Sequence, residues 1–325
     1  KYGNSISNYL GNKYTVVSVG RVMTCVLGMV VRREREIREF VKTPFYRVIE
    51  SVNVDGHTFT GEWRAVKGSA YFESPKLYKE NGFKEKEEAK KLIAVLKEGT
   101  SPLTCRIVSI EKKKEKKNPP LLFNLAELQN ECSKRFKISP DETLRIVQEL
   151  YEKKLVTYPR TDARVLSTAV SKEITKNLNG LSKYQMAAPY MQDILHYGAY
   201  KNLAKTRYVN DKQITDHYAI IPTGQGLSAL NSVSATAHHV YDVIVRRFLS
   251  VFYPPAVYQK VALITQIGKE QFFSNFRVLA EEGYLKVAGG PAPKKNANGN
   301  DAEGDGSDNN VDLDAAFFSS IQKLK

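Results

Sequence analysis

Cysteine is scarce in this chain. Its 325 residues hold three, Cys25, Cys105 and Cys132, with no Cys-x-x-Cys spacing among them. That scatter argues against a zinc ribbon and fits a reducing compartment. No apolar run approaches the ~20 residues a membrane-spanning helix needs, so no membrane partner is expected. The opening Lys1-Tyr2-Gly3-Asn4-Ser5 lacks the charged-then-apolar pattern of a signal peptide. Histidine is also thin, and His57, His196, His238 and His239 sit in no chemical context. A histidine-rich metal triad of the relaxase kind is therefore disfavoured.

What is present is ample material for a core, with 42% hydrophobic and 26% charged residues. The length suggests two or three domains. The formal net charge of +14 suits a polyanion partner. Charge alone does not separate DNA from RNA or from an acidic protein.

The chain is organised around Thr157-Tyr158-Pro159-Arg160-Thr161-Asp162-Ala163-Arg164. Upstream, Ser139 is placed to cap a helix, Pro140 fits its first turn, and Glu142 is spaced to complete a capping box. Leu144, Val147, Leu150 and Tyr151 then recur at helical spacing, so one face is apolar. Pro159 biases Tyr158 toward an extended backbone, which puts the tyrosine on a connection beyond the helix end. A phenol attacks a phosphate only with help. Arginines give it by bidentate bonding to phosphate oxygens and by lowering the cost of phenolate. A short word of this kind also occurs in ordinary loops, and by itself does not establish a nucleophile.

Three words together carry a resemblance. Leu121-Leu122-Phe123-Asn124-Leu125-Ala126-Glu127-Leu128-Gln129, Tyr151-Glu152-Lys153-Lys154-Leu155 and Tyr158-Pro159-Arg160-Thr161-Asp162 resemble a type IA DNA topoisomerase, closest to the topoisomerase III branch. The likeness runs in register from about Val16 to about Val287. It implies that Tyr158 attacks the DNA backbone, with Arg160 beside it. Thr215-Asp216-His217-Tyr218-Ala219-Ile220-Ile221-Pro222-Thr223 matches the family's Asp-His-His-Ala-Ile-Ile-Pro-Thr, which gives His217 a place at the scissile phosphate. Tyr218 stands where the family has a second histidine. Ser18-Val19-Gly20-Arg21-Val22-Met23-Thr24 matches a word that opens a helix lining the single-strand groove. Met23 and Cys25 depart from it. The implied DNA contacts are Ser18, Arg21, Thr161, Asp162 and Arg164.

The implied fold is α+β and multidomain, a partial toroid in which a helical domain bearing the tyrosine is inserted into a β-rich hinge. The expected divisions are 1–40 (part of a helical groove domain, with Val26, Leu27, Val30 and Val31 on one helix face), 41–118 (first part of the hinge), 119–245 (inserted helical domain), 246–290 (second part of the hinge) and 291–325 (linker and return). Asn53-Val54-Asp55-Gly56 reads as a hairpin turn, and Glu111–Lys117 as a solvated crossing between domains. Helices are predicted over 85–97, 121–136, 140–154, 167–178 and 235–251, and strands over 104–110, 257–267, 272–279 and 284–287.

The family's amino-terminal toprim domain carries an Asp-x-Asp-x-Glu cluster that holds Mg2+. No such cluster occurs here: Asp312 and Asp314 are followed by Ala316 where the glutamate belongs. The resemblance therefore implies an internal fragment of a monomeric, bacterial, cytoplasmic enzyme associated with nucleoid or plasmid. That enzyme would be an ATP-independent topoisomerase, and the fragment alone would be inactive, with no metal ligands of its own. The alternative is a single-stranded DNA-binding module whose Tyr158 only stacks a base.

Overall fold

The computed structural model describes Ser5, Asn8, Tyr9 and residues 20–54, 56–98 and 103–289. Ser18, Asp55, Asp312, Asp314 and the expected linker over 291–325 lie outside the described residues. In chain order the elements are α1 (Arg21–Glu39), β1 (Ile49–Val54), β2 (His57–Arg64), β3 (Leu77–Lys79), β4 (Gly82–Phe83), α2 (Lys86–Lys97), β5 (Arg106–Lys117), α3 (Leu125–Phe136), α4 (Pro140–Glu152), α5 (Thr168–Leu181), α6 (Ala188–Tyr197), α7 (Ala235–Ser250), β6 (Ala256–Ile267), β7 (Glu270–Glu281) and α8 (Leu285–Ala288). Short 3-10 turns over Ala199–Lys205, Asp211–Gln213 and Leu227–Ser232 fill the path from α6 to α7. The fold class is α+β, as the sequence implies. Two compact units divide the chain.

The larger unit holds residues 51–61, 105–266 and 272 onward. Four of its helices fall where the sequence predicts them, although α3 starts at Leu125 and not at 121, and α5 runs on to Leu181 past 178. Asn124, Ser139, Ser167 and Ser234 each cap a helix by accepting from a backbone N–H three residues on. Pro140 sits at the first turn of α4 as expected. The α7 helix is the centre of the packing: Val240, Tyr241, Ile244, Val245, Phe248 and Leu249 are all buried. Against it lie Leu128 and Cys132 of α3 and Val147 and Leu150 of α4. Burial of aliphatic side chains on this scale, at ~25 cal/mol per Å², holds the helical part together.

Strands from before and after this helical stretch share one five-stranded sheet, ordered β1-β2-β7-β6-β5. Phe59 and Phe276 meet edge to face at 5.6 Å beneath Val261 and Leu263. The charge run Glu111–Lys117, predicted as a crossing, is instead the second half of β5. It pairs antiparallel with β6 from Arg106↔Gln266 through Lys117↔Ala256. The reason is that β5 is an edge strand, where lysine stems lie along the sheet and their ammonium groups stay in water. Glu115 is tied to Lys260 at 2.8 Å and faces Arg277 at 3.7 Å. The predicted strand over 284–287 is also corrected: Val287 N–H returns to Tyr284 O at 3.0 Å, and the backbone closes into α8. The α6 helix, with Met191 and Ile194 buried, was not predicted, because two apolar positions after a proline give too little periodicity.

The smaller unit holds residues to 50, 62–104 and 267–271. Helix α1 belongs to it and has no buried residue. The unit's centre is Trp63, buried and stacked on Phe83 at 4.9 Å, with Tyr71 edge-on to both. Trp63 Nε1 donates to Glu270 at 2.7 Å, the Ser69 hydroxyl donates to the same oxygen at 2.6 Å, and Ala70 N–H reaches the other at 2.9 Å. The carboxylate is buried but fully satisfied. Glu270→Ala strands the buried Trp63 and Ser69 donors away from water, and the expected loss of stability is roughly 3 kcal/mol. The denaturant midpoint of the variant against the parent chain measures it.

Candidate active site

The α4 helix delivers the chain to the site. It closes through Lys153 N–H on Glu149 O and through Leu155 N–H on Leu150 O at 2.9 Å. Lys154 takes a left-handed backbone, φ 62°, and turns the chain out of the helix. Leu155 and Val156 are then buried, and the extended segment runs alongside residues 219–223. Thr157 N–H donates to Ile221 O at 3.0 Å, and Thr223 N–H donates to Leu155 O at 3.0 Å. The Thr157 hydroxyl bridges the two segments, donating to Ala219 O and accepting from Ile221 N–H, each at 3.0 Å. Beyond the tyrosine, the buried Thr161 hydroxyl donates to His217 O at 2.8 Å. Ala219 N–H donates to Val165 O at 3.0 Å.

These bonds bring Tyr158 and His217 together. Their rings lie 4.4 Å apart at 43°. Tyr151 of α4 meets Tyr158 edge-on at 5.4 Å. The three rings, with Lys154, Tyr218 and Gln225, bound an open cleft of about 400 Å³. Tyr158 is half-buried, so its ring is fixed while the cleft side stays open. Tyr218 is also half-buried, and burial holds its phenol above the ordinary tyrosine range. The tyrosine–imidazole pair is a hydrogen-bonding and stacking surface suited to a nucleotide or a phosphate ester.

The other residues singled out by sequence fall in different places. Arg160 is exposed, and its guanidinium has no hydrogen bond or ion pair among the described residues. Asp162 is exposed, and its carbonyl accepts from Asn124 Nδ2 at 3.1 Å. Arg164 is engaged with the protein itself, donating from Nε to Leu122 O at 3.3 Å and pairing with Glu127 at 3.4 Å. Arg21 opens α1 and is exposed, in the smaller unit. The helical spacing puts Tyr151 on an apolar face, yet it is 38% exposed and borders the cleft. Lys154 enters the sequence reading only as part of the 151–155 word, with no role at a site, and Gln225 does not enter it at all. The one trace of Gln225 in the sequence is the glycine on each side of it. The expected reciprocal half of the capping box, from the Glu142 carboxylate, is not made among the described residues.

The residues here do not fit a magnesium site. Among the described residues no group of three or more histidine, cysteine, aspartate or glutamate side chains lies close enough to hold a metal ion. No described helix is long and apolar enough to cross a membrane.

Residues 1–315 match the family model described as DNA topoisomerase. The chain belongs to the type IA DNA topoisomerase family. A relative named DNA topoisomerase 3, from Bacillus subtilis, is 33% identical over 272 residues, covering 83% of this chain and 34% of the relative. A relative named DNA topoisomerase 1, from Pyrococcus horikoshii, is 32% identical over 278 residues, 85% of this chain and 36% of the relative. The chain thus spans about a third of the length of the curated relatives it matches. Full-length topoisomerase I from Thermotoga maritima shares the fold with a TM-score of 0.57 at 24% identity, over 88% of this chain and 43% of that one.

The Thr157 hydroxyl makes two of the bonds that hold the Tyr158 segment to the segment after His217. Thr157→Val keeps the shape and loses both. The expected cost is about 1–2 kcal/mol, with faster hydrogen exchange at the Ile221 amide than in the parent chain.

Proposed function

We propose that this chain carries the nucleophile of a type IA topoisomerase that cuts and reseals one strand of DNA. The observation that carries the reading is the Tyr158–His217 contact, 4.4 Å between rings from loops far apart in sequence. The Tyr158 phenol oxygen attacks the phosphorus of a single strand, and the bond from phosphorus to the 3′ oxygen breaks. The phenol gives up its proton and the departing oxygen gains one. The 5′ phosphate stays on the tyrosine. Because the phosphotyrosine bond keeps the energy of the phosphodiester, the reverse attack reseals the strand without ATP.

Arg160 is exposed and has no partner among the described residues, as suits a residue waiting for an external anion. It neutralises the non-bridging oxygens as charge gathers on them. His217 donates a hydrogen bond to the same phosphate, and Thr161 holds the His217 backbone for it. Asp162 and Arg164 border the path of the strand, and Ser18 and Arg21 contact it elsewhere. A helical segment over 119–245 set into a hinge of 41–118 and 246–290 would open a gate through which a second strand passes. Residues 1–40 and 291–325 would belong to the groove domain and the linker. The family's Mg2+ would be held by segments outside this sequence, and no step here runs through it. The protein would act as a monomer in a bacterial cytoplasm, at nucleoid or plasmid DNA.

Three measurements test this. Single-stranded DNA should bind in preference to duplex, and affinity should fall steeply with added salt as counterions are released. A salt-insensitive affinity favours a partner other than nucleic acid. The chain alone should bind without cutting. Expressed with the flanking segments its relatives carry, it should trap a covalent adduct on the 5′ end of cut strands. Tyr158→Phe should abolish that adduct while DNA binding survives, and Arg160→Ala should reduce it by about a hundredfold or more. An adduct that persists in the Phe variant would overturn the assignment.

A further inference from the structure

The turn that follows the histidine loop is held more firmly than its exposure requires. Gly224 has φ +76°, and a Cβ there would sit 2.5 Å from Asn177 O and 3.0 Å from Gly180 Cα. Gly226 has φ +66°, and its Cβ would sit 2.5 Å from Lys153 O. Only glycine fits either position, for both conformation and space. The turn is thus seated on α5 on one side and on the end of α4 on the other. Further bonds lock it: Asn177 Nδ2 donates to Pro222 O at 2.9 Å, Gln225 N–H donates to the Thr223 hydroxyl at 3.1 Å, and Ala229 N–H donates to Gly226 O at 2.8 Å.

Between the two glycines stands Gln225. Its side chain is exposed, borders the Tyr158 cleft, and has no hydrogen-bond partner among the described residues. A carboxamide offers a donor and an acceptor side by side, and a rigid backbone beneath it lowers the entropy lost when both are used. Tyr151 borders the same cleft with a partly exposed ring, set edge-on to Tyr158. A flat ring and a paired donor and acceptor bordering one cleft of about 400 Å³ are the chemistry of a nucleobase site.

We propose that Gln225 is a specificity-determining residue, which reads the base beside the scissile phosphate while Tyr151 stacks it. Adenine is the favoured base. Its N7 acceptor and N6 amino donor match the amide in bidentate fashion, and a purine gives the larger stacking face. The proposal rests on the reading of the Tyr158 cleft as a DNA site, and sharpens it from any single strand to one with a preferred base.

The test uses short strands whose positions are abasic except for one adenine, guanine, cytosine or thymine. Their binding to the whole chain is followed by fluorescence anisotropy beside a fully abasic strand. The adenine strand should bind at least about five-fold tighter than the other three, the lower end of what a bidentate amide–base pair provides. Gln225→Ala should reduce that preference to within about two-fold while leaving the abasic strand's affinity unchanged. Tyr151→Leu should weaken every base-bearing strand relative to the abasic one. Equal affinity for the four bases, or an adenine preference that survives Gln225→Ala, overturns the assignment of Gln225 and leaves the DNA reading standing. Failure of every strand to bind, the abasic one included, overturns the DNA reading and this proposal with it.

Discussion

Everything proposed for this chain depends on one seam. The extended residues after α4 run beside the segment from Ala219 to Thr223, and the Thr157 hydroxyl ties them with two bonds of 3.0 Å. Tyr158 sits one residue beyond that tie and His217 two residues before it. The rings are thus placed by backbone and not by any bond between themselves. Two flexible side chains attached to separate loops would sample many arrangements. Attached to one short ladder they are confined to a few, and positional entropy is removed before any ligand arrives.

The seam in turn needs the helices. Leu155, Val156, Ile220 and Ile221 are all buried in the core that α7 centres. A packed apolar floor leaves the ladder's outer edge as the part that meets solvent. Tyr158, His217 and Gln225 stand on that edge, where one face of each is fixed by protein and the other is open. The basic surplus of the chain is then available to draw a polyanion toward a surface already shaped.

Much of this was legible in the sequence, for physical reasons that differ between residues. Ser139 and Pro140 announce a helix start because their chemistry acts locally, and the structure places α4 there. Tyr158 and His217 were found together only through the resemblance, since their proximity is set by long-range ladder bonds that no local pattern encodes. Glu111–Lys117 misled because a charge run and a solvated edge strand share a composition, and only the pairing with β6 separates them. Tyr151 misled in the other direction: its helical spacing is that of a core residue, but it lies at the border of the buried face. Gln225 left almost no mark, since an exposed glutamine between glycines looks like any loop until the backbone contacts of those glycines are seen.

The lysine-lined strand β5 has an effect on the sheet that reaches beyond its own pairing. An open strand edge is a template, and a second sheet could in principle add to it by main-chain bonds alone. Lys112, Lys113, Lys114, Lys116 and Lys117 crowd this edge. A copy of the same strand laid against its lysine-bearing half would bring ammonium groups close to ammonium groups there. The repulsion discourages growth of the sheet at this edge.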